Sequence, residues 1–303
     1  MLTAIFRNRV QYLFLLLILC LISPSLSVAQ SSQPAVAIKK PTIGEGVPGS
    51  VVNDLNLTTL WTEMEASFRA TRKFRVLSRN KDTLKAIREE QKFAESDLAK
   101  GDAAATGQFD NANYLILPTV QDFKFYRTHK ALPNFDNKFK RSDSGLLEVS
   151  AQMVDTSTGQ VMTTFDLKSA FNTNPKIVND KSGKPNSVKF TSMAQEVAAK
   201  LADQFVDAVY PMKVVKRDRR GQVFINRGKD GGLKIGQVLE VFYAGEELID
   251  PDTGESLGSS EEYVGKVKIS RINPKITIGK VISEEDPENA PIATGDILRR
   301  PQQ

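Results

Sequence analysis

Phe190, Met193, Ala194, Val197, Leu201, Phe205 and Val209 recur at three- and four-residue spacing, so they line one face of a helix of about 20 residues. A stripe that long must be buried against another layer, and Pro211 ends it. Beyond Pro211 no helical stripe returns. Short β-rich runs at 223–225, 238–242, 263–272, 276–282 and 296–298 alternate with glycine turns, a spacing that suggests a small barrel. The change of period at Pro211 divides the chain of 303 residues into an α/β part, 30–211, and an all-β part, 212–303.

Ahead of the stripe, Ala35 to Ile38 reads as a strand. Ser50 reads as the cap of a helix running to Arg72, with Leu60, Met64 and Phe68 on one face. Phe74 to Leu77 is a short strand. A second helix, from Asn80 or Lys81 to Phe93, turns Leu84, Ala86 and Ile87 inward. Residues 114–120 form a buried strand, which Pro118 assigns to an edge or a bulge. Leu147, Val149, Ala151 and Met153 alternate with polar neighbours. Asp155 and Gly159 then turn the chain into a second strand at 161–165. Asp250 and Gly254 repeat that turn chemistry. Residues 124–145 and 172–188 read as polar loops, of which 126–143 and 174–187 should be dispensable for folding. The expected fold class is α/β, a mixed sheet with packed helices, followed by a small all-β barrel-like domain.

Residues 1–29 have the parts of a secretory signal peptide: Arg7 and Arg9, an apolar core from Tyr12 to Ile22, and Ser27-Val28-Ala29 as a cleavage site after Ala29. The core has 11 residues, against the ~20 a spanning helix needs. Cys20 lies inside the core and follows Leu19, a poor setting for lipidation. Cleavage after Ala29 leaves a cysteine-free chain, which suits an oxidising compartment.

One cysteine and one histidine limit the chemistry severely. Neither an intrachain disulfide nor a Cys/His zinc site can be assembled, and a catalytic triad would have to run through His129. His129 falls in a polar stretch and reads as a surface residue. Gly44, Gly46 and Gly49 match G-x-G-x-x-G, but Pro48 removes a donor, and Glu63 and Glu65 lie inside a helix, so a flexible loop is the better reading. Asp250, Asp252 and Glu261 echo a calcium loop, but Glu255 stands where that loop needs glycine. No cofactor, metal or enzymatic activity is expected. The formal charge of +5, of which Arg7 and Arg9 supply two, does not demand a polyanionic partner. Two basic patches stand out. Lys213, Lys216, Arg217, Arg219 and Arg220 form one. Lys124, Arg127, Lys130, Lys138, Lys140 and Arg141, among Phe125, Tyr126, Phe135 and Phe139, form the other; Lys124, Arg127, Lys138, Lys140 and Arg141 are the candidate partner- or envelope-facing residues. Export argues against nucleic acid. An anionic membrane or peptidoglycan surface suits the charge better.

Several short motifs, taken in order, resemble the CsgG family of curli assembly and secretion proteins. They are Phe74-Arg75-Val76-Leu77-Ser78-Arg79, then Ile87 with Glu90-Gln91, Ala112-Asn113-Tyr114-Leu115-Ile116, and Val154-Asp155 with Thr158-Gly159 and Val161, followed by the Ala-rich helix near 193–209. The tail is similar to the C-terminal module of the flagellar assembly protein FlgT, through Val223, Ile225-Asn226, Gly228, Gly232-Leu233, Gly236, Asp250-Pro251, Thr253-Gly254-Glu255, Leu257-Gly258 and Gly295-Asp296-Ile297-Leu298. The resemblance implies a non-enzymatic periplasmic component at the outer membrane, working with envelope or secretion-system proteins or as a self-oligomer. Its alternative is an oligomeric secretion channel. The polar character of 122–148 and 163–190 favours the former, because a membrane strand needs about 9–11 residues with an apolar outward face.

Overall fold

The computed structural model describes residues 33–96, 109–254 and 256–301. Ala29 and the rest of the leader lie outside them. Strands β1 (Ala35–Ile38), β2 (Thr42–Ile43) and β3 (Arg75–Leu77) precede three long strands, β4 (Tyr114–Ala131), β5 (Phe139–Asp155) and β6 (Val161–Asn172), and the short β7 (Lys176–Val178). They form one seven-stranded mixed sheet in the order β3-β1-β4-β5-β6. In it β2 pairs with β4 and β7 with β5. The β1 pairings are parallel, and β4, β5 and β6 are antiparallel neighbours.

Helices α1 (Leu57–Thr71), α2 (Lys81–Ala94) and α3 (Ser187–Val209) accompany the sheet. The stripe of α3 is buried as its spacing requires. Phe205, with no exposed surface, meets Phe68 and Phe74 edge-on at 5.0 Å each, and Tyr114 at 5.7 Å. Trp61 on α1 donates its indole N–H to the Ile38 carbonyl at 2.9 Å, fixing α1 to β1. The cap of α1 is Asn56, not Ser50: residues Gly49–Asp54 form a 3₁₀ turn, and Asn56 accepts from the Thr59 amide. On α2, Leu84 is half-buried and Ala86 and Ile87 are exposed; Gln91 is its buried residue. The inward face expected there is not formed.

Pro118 sits in a central strand rather than at an edge. The ladder from β1 ends at Ile38↔Ile116, and β2 resumes it at Thr42↔Thr119. The missing proline donor therefore falls in the gap between two neighbours, where none is needed. The glycine motif packs against this strand instead of forming a flexible loop. A side chain on Gly44 would come within 2.9 Å of the Val120 carbonyl, and one on Gly46 within 2.8 Å of that of Gln121.

After the C-cap Tyr210 come strands β8 (Met212–Arg217), β9 (Gln222–Ile225), β10 (Val238–Ile249), β11 (Ser256–Ile272), β12 (Thr277–Glu284) and β13 (Ile297–Arg299). They form a closed six-stranded barrel in the order β10-β11-β12-β9-β8-β13. The lysines and arginines of 213–217 are thus strand residues, with Met212 and Val214 between them buried in the barrel. Pro34–Gln303 form one compact unit holding two apolar clusters, one under α1 and α3 and one inside the barrel.

Candidate functional site

The basic stretch read as a loop is two strands and a turn. β4 and β5 pair continuously from Asp122↔Glu148 to Ala131↔Phe139, and β7 adds a third strand beside β5 at Phe139↔Val178, Lys140↔Ile177 and Arg141↔Lys176. Successive side chains of a strand alternate between faces. The five candidate residues are consequently divided. Phe123 and Phe125 are buried under α3, and Arg127 and His129 continue their face. Lys124, Tyr126, Thr128 and Lys130 occupy the other.

On the inner face Arg127 donates to both carboxylate oxygens of Asp143, from Nε at 2.7 Å and from Nη2 at 2.9 Å, and the two side chains are only 13% and 15% exposed. Its Nη1 reaches the Ser182 carbonyl at 3.4 Å. Arg127 therefore ties the loop after β7 to the hairpin and is not partner-facing. The pair explains the titration: the Arg127 hydrogen bonds hold the Asp143 carboxyl below its ordinary range, with the charges of Arg127, Arg141 and His129 adding to the effect. His129 is half-buried in β4, not in a loop, and Arg141 lies opposite it on this same inner face. Lys181 caps the Phe139 ring at 4.6 Å. The stretch 172–188 is thus anchored to the sheet through β7, Arg127 and Lys181, and is not the plain loop expected.

The outer face is different. Lys130, Lys140 and Ile177 stand side by side across β4, β5 and β7. Tyr126 is 52% exposed and Ile177 65%. Lys124 is engaged by Asp122 at 2.7 Å, whereas Lys130 and Lys140 have no ion-pair partner among the described residues. Lys138, in the connecting turn, lies 5.0 Å from the exposed Phe135 ring.

The turns take simple forms. Asp155 accepts from the Ser157 amide at 2.7 Å, and Gly159, at φ 75°, donates to the Asp155 carbonyl. Asp250 accepts from the Asp252 and Thr253 amides, and Gly254, at φ 72°, donates back to the Asp250 carbonyl. The Ser157 hydroxyl, followed by the Ser157 amide, holds the Asp155 carboxyl below the ordinary carboxylate range, and the Asp252 and Thr253 amides do the same for Asp250.

A second polar cluster was missed in the sequence. Asp203 and Asp207 lie four apart on α3 and so share a side. Their partners arrive from the barrel. Arg227, 3% exposed, donates to Asp207 at 2.8 Å and to the Tyr210 carbonyl. Arg300 donates Nε to Asp207 at 2.7 Å, Nη2 to the Gly231 carbonyl at 2.7 Å, and lies 3.6 Å from Asp203. Burial is the main cause that pushes the Asp203 carboxyl up to about 6; Asp207 adds to it, and Arg300 opposes it. Spacing marks Asp203 and Asp207 as neighbours, but only barrel closure brings residues 227 and 300 to them. Among the described residues no group of three or more His, Cys, Asp or Glu side chains could hold a metal, and no helix is long and apolar enough to cross a membrane.

Neither a protein-family model nor a curated protein matches the chain. Similar solved structures include the PelC dodecamer of Paraburkholderia phytofirmans, 15% identical over 56% of this chain and 89% of that one, TM-score 0.27. Protein XCC0632 of Xanthomonas campestris is 11% identical over 59% and 87%, TM-score 0.33. Lipoprotein GNA1162 of Neisseria meningitidis is 10% identical over 57% and 99%, TM-score 0.26. The resemblance to the CsgG family and to the FlgT module is accordingly corrected: no family model matches the chain, and none of these three similar structures is of either kind. Likeness at these TM-scores assigns no activity, partner or assembly state to this chain.

Proposed function

We propose that this chain is an exported, non-enzymatic component of the cell envelope that works through protein contacts made by the outer face of its β4–β5–β7 plate. The observation that carries this reading is the row Lys130, Lys140 and Ile177 with Tyr126 beside it, exposed and without ion-pair partners among the described residues. Like charges directly opposite each other on neighbouring strands are destabilising, so Lys130 facing Lys140 is a cost to the isolated fold that a partner's carboxylates would relieve. The leader motif at 1–29 supports export. Neither face of the distal plate offers an apolar band for lipid, since the inner one carries Arg127 and Arg141 and the outer one Lys130 and Lys140.

A photo-crosslinking residue at Tyr126 or Thr128, in cells expressing the chain with its own leader, tests the reading. Protein adducts formed outside the cytoplasmic membrane are expected. A chain retained in the cytoplasm, or one that forms no protein adduct, overturns it.

A further inference from the structure

The outer row of the plate has a chemical complement on the same chain. Strands β10 and β11 continue past the barrel as a two-stranded ribbon: β13 pairs with β10 only at 240–242, whereas β10 and β11 pair with each other out to Ile249↔Ser256. Between Lys234 and Lys266 the sequence has eight acidic residues and no basic one. Glu240 and Glu261 are occupied by Lys266 and Arg299. Glu246 and Glu262 are exposed and have no ion-pair partner among the described residues. Tyr243 stands directly opposite Glu262 and is 55% exposed, and Leu248 and Ile249 are exposed nearer the tip. Each strip therefore offers an exposed aromatic ring, an exposed aliphatic side chain and unpaired charges, and the charges are of opposite sign. Among the described residues no ion pair joins the two strips within one copy.

We infer that the acidic β10–β11 ribbon of one copy docks on the outer row of the β4–β5–β7 plate of a second copy. Glu246 and Glu262 face Lys130 and Lys140, and Tyr243 and Leu248 cover Tyr126 and Ile177. This rests on the proposed protein-contact role of the plate and names its partner. The occupant is a second copy and not an anionic bilayer, because a bilayer would satisfy the lysines but leave the exposed Tyr243, Glu246, Leu248 and Glu262 of the ribbon uncovered. The two docking patches differ, so the contact is heterologous. Successive copies add head to tail, into a ring where the rotation closes and a filament where it does not.

The test is sedimentation of the exported chain, purified after expression with its own leader, at low and high salt. Species larger than one chain are expected at low ionic strength and their loss at high, since exposed charges are screened beyond about 10 Å at 0.1 M salt. A Lys130→Glu/Lys140→Glu variant and a Glu246→Lys/Glu262→Lys variant should each sediment as single chains, and an equimolar mixture should regain the larger species. Circular dichroism confirms that each variant is folded. Where a reversal does not fold, Lys130→Gln/Lys140→Gln and Glu246→Gln/Glu262→Gln replace it and should each weaken assembly at least tenfold. A chain that stays single at low salt, or assembly unaffected by both variants, overturns the inference. A single chain that sediments with phosphatidylglycerol vesicles but not phosphatidylcholine vesicles, and loses this with Lys130→Glu/Lys140→Glu, assigns the plate to lipid instead and overturns it too. Adducts from Tyr126 to a different protein would leave the protein-contact role standing while removing this partner.

Discussion

Arg227 Nη2 lies 2.8 Å from Asp207 Oδ1, a charge pair formed between the helix of the α/β part and the barrel, with the arginine almost completely buried. Arg300 engages the second oxygen of the same carboxylate, so one aspartate of α3 holds two arginines of the barrel. Removing one partner of a buried pair leaves the other charge uncompensated, at a cost of about 3–5 kcal/mol. Arg227→Ala should fall near the lower end, about 3 kcal/mol, because Arg300 still neutralises Asp207. Equilibrium urea unfolding measures it. A loss below about 1 kcal/mol would show that the junction is a surface contact.

Asp203 gives this junction a pH dependence of definite sign. Its carboxyl titrates at about 6 in the folded chain, against an ordinary 3.8. A raised folded value means that the proton favours the fold: the contribution is complete below the ordinary value and is lost as pH rises through about 6. A tenfold difference in proton affinity between folded and unfolded chain is worth about 1.4 kcal/mol, and partial exposure brings the expected effect to about 1–3 kcal/mol. From this group the chain should be more stable at pH 5 than at pH 7.5. Asp203→Asn should raise the melting temperature at pH 7.5 and reduce the difference between the two pH values. A melting temperature at pH 7.5 that Asp203→Asn leaves unchanged would refute the assignment.

Phe205 tests the other core. Its ring is fully buried and contacts the rings of Phe68, Phe74, Tyr114 and Phe165. Phe205→Ala should cost about 3–5 kcal/mol, the usual range for a large aromatic lost from a packed core. Denaturant unfolding reads this directly. Because Phe205 is also close to Asp203 and Asp207 on α3, the double variant Phe205→Ala/Asp203→Asn need not be additive.

How much of this was legible follows from what each buried face is made of. The α3 stripe is apolar throughout, and its period alone located the helix. The barrel strands from β9 on were legible for the same reason, Leu239 and Val241 inward with Glu240 between them, whereas β8 was hidden among the lysines and arginines of 213–217. The distal halves of β4 and β5 were not, because their inward positions are Arg127, His129, Arg141 and Asp143. A face closed by an ion pair has no hydrophobic alternation to read. Pro118 misled for a related reason: its neighbour changes from β1 to β2 beside it, a break that no local pattern records. The inner and outer faces of the plate could be told apart only once the strands and their register were known.

Arg127 is the tether of the segment after β7: it grips Asp143 with two nitrogens and reaches the Ser182 carbonyl with the third. A side chain on Gly183 would come within 2.7 Å of the same guanidinium, so the backbone passes directly against it. Arg127→Ala removes all of these contacts and leaves Asp143 half-buried without its main partner. Trypsin should then cut after Lys181 several-fold faster, since local opening sets the rate of such cleavage. Arg127→Lys should not restore protection, because one ammonium cannot fork onto both carboxylate oxygens and still reach the carbonyl. The global fold should lose about 1–3 kcal/mol, the penalty for an unsatisfied polar partner. The sign with pH is opposite to that of Asp203. Arg127 lowers the Asp143 value, so this stabilisation is present at neutral pH and is lost as pH falls through that lowered value. A digestion pattern identical to that of the unmodified chain would show that β7 and Lys181 hold the segment without Arg127, and that the tether is redundant.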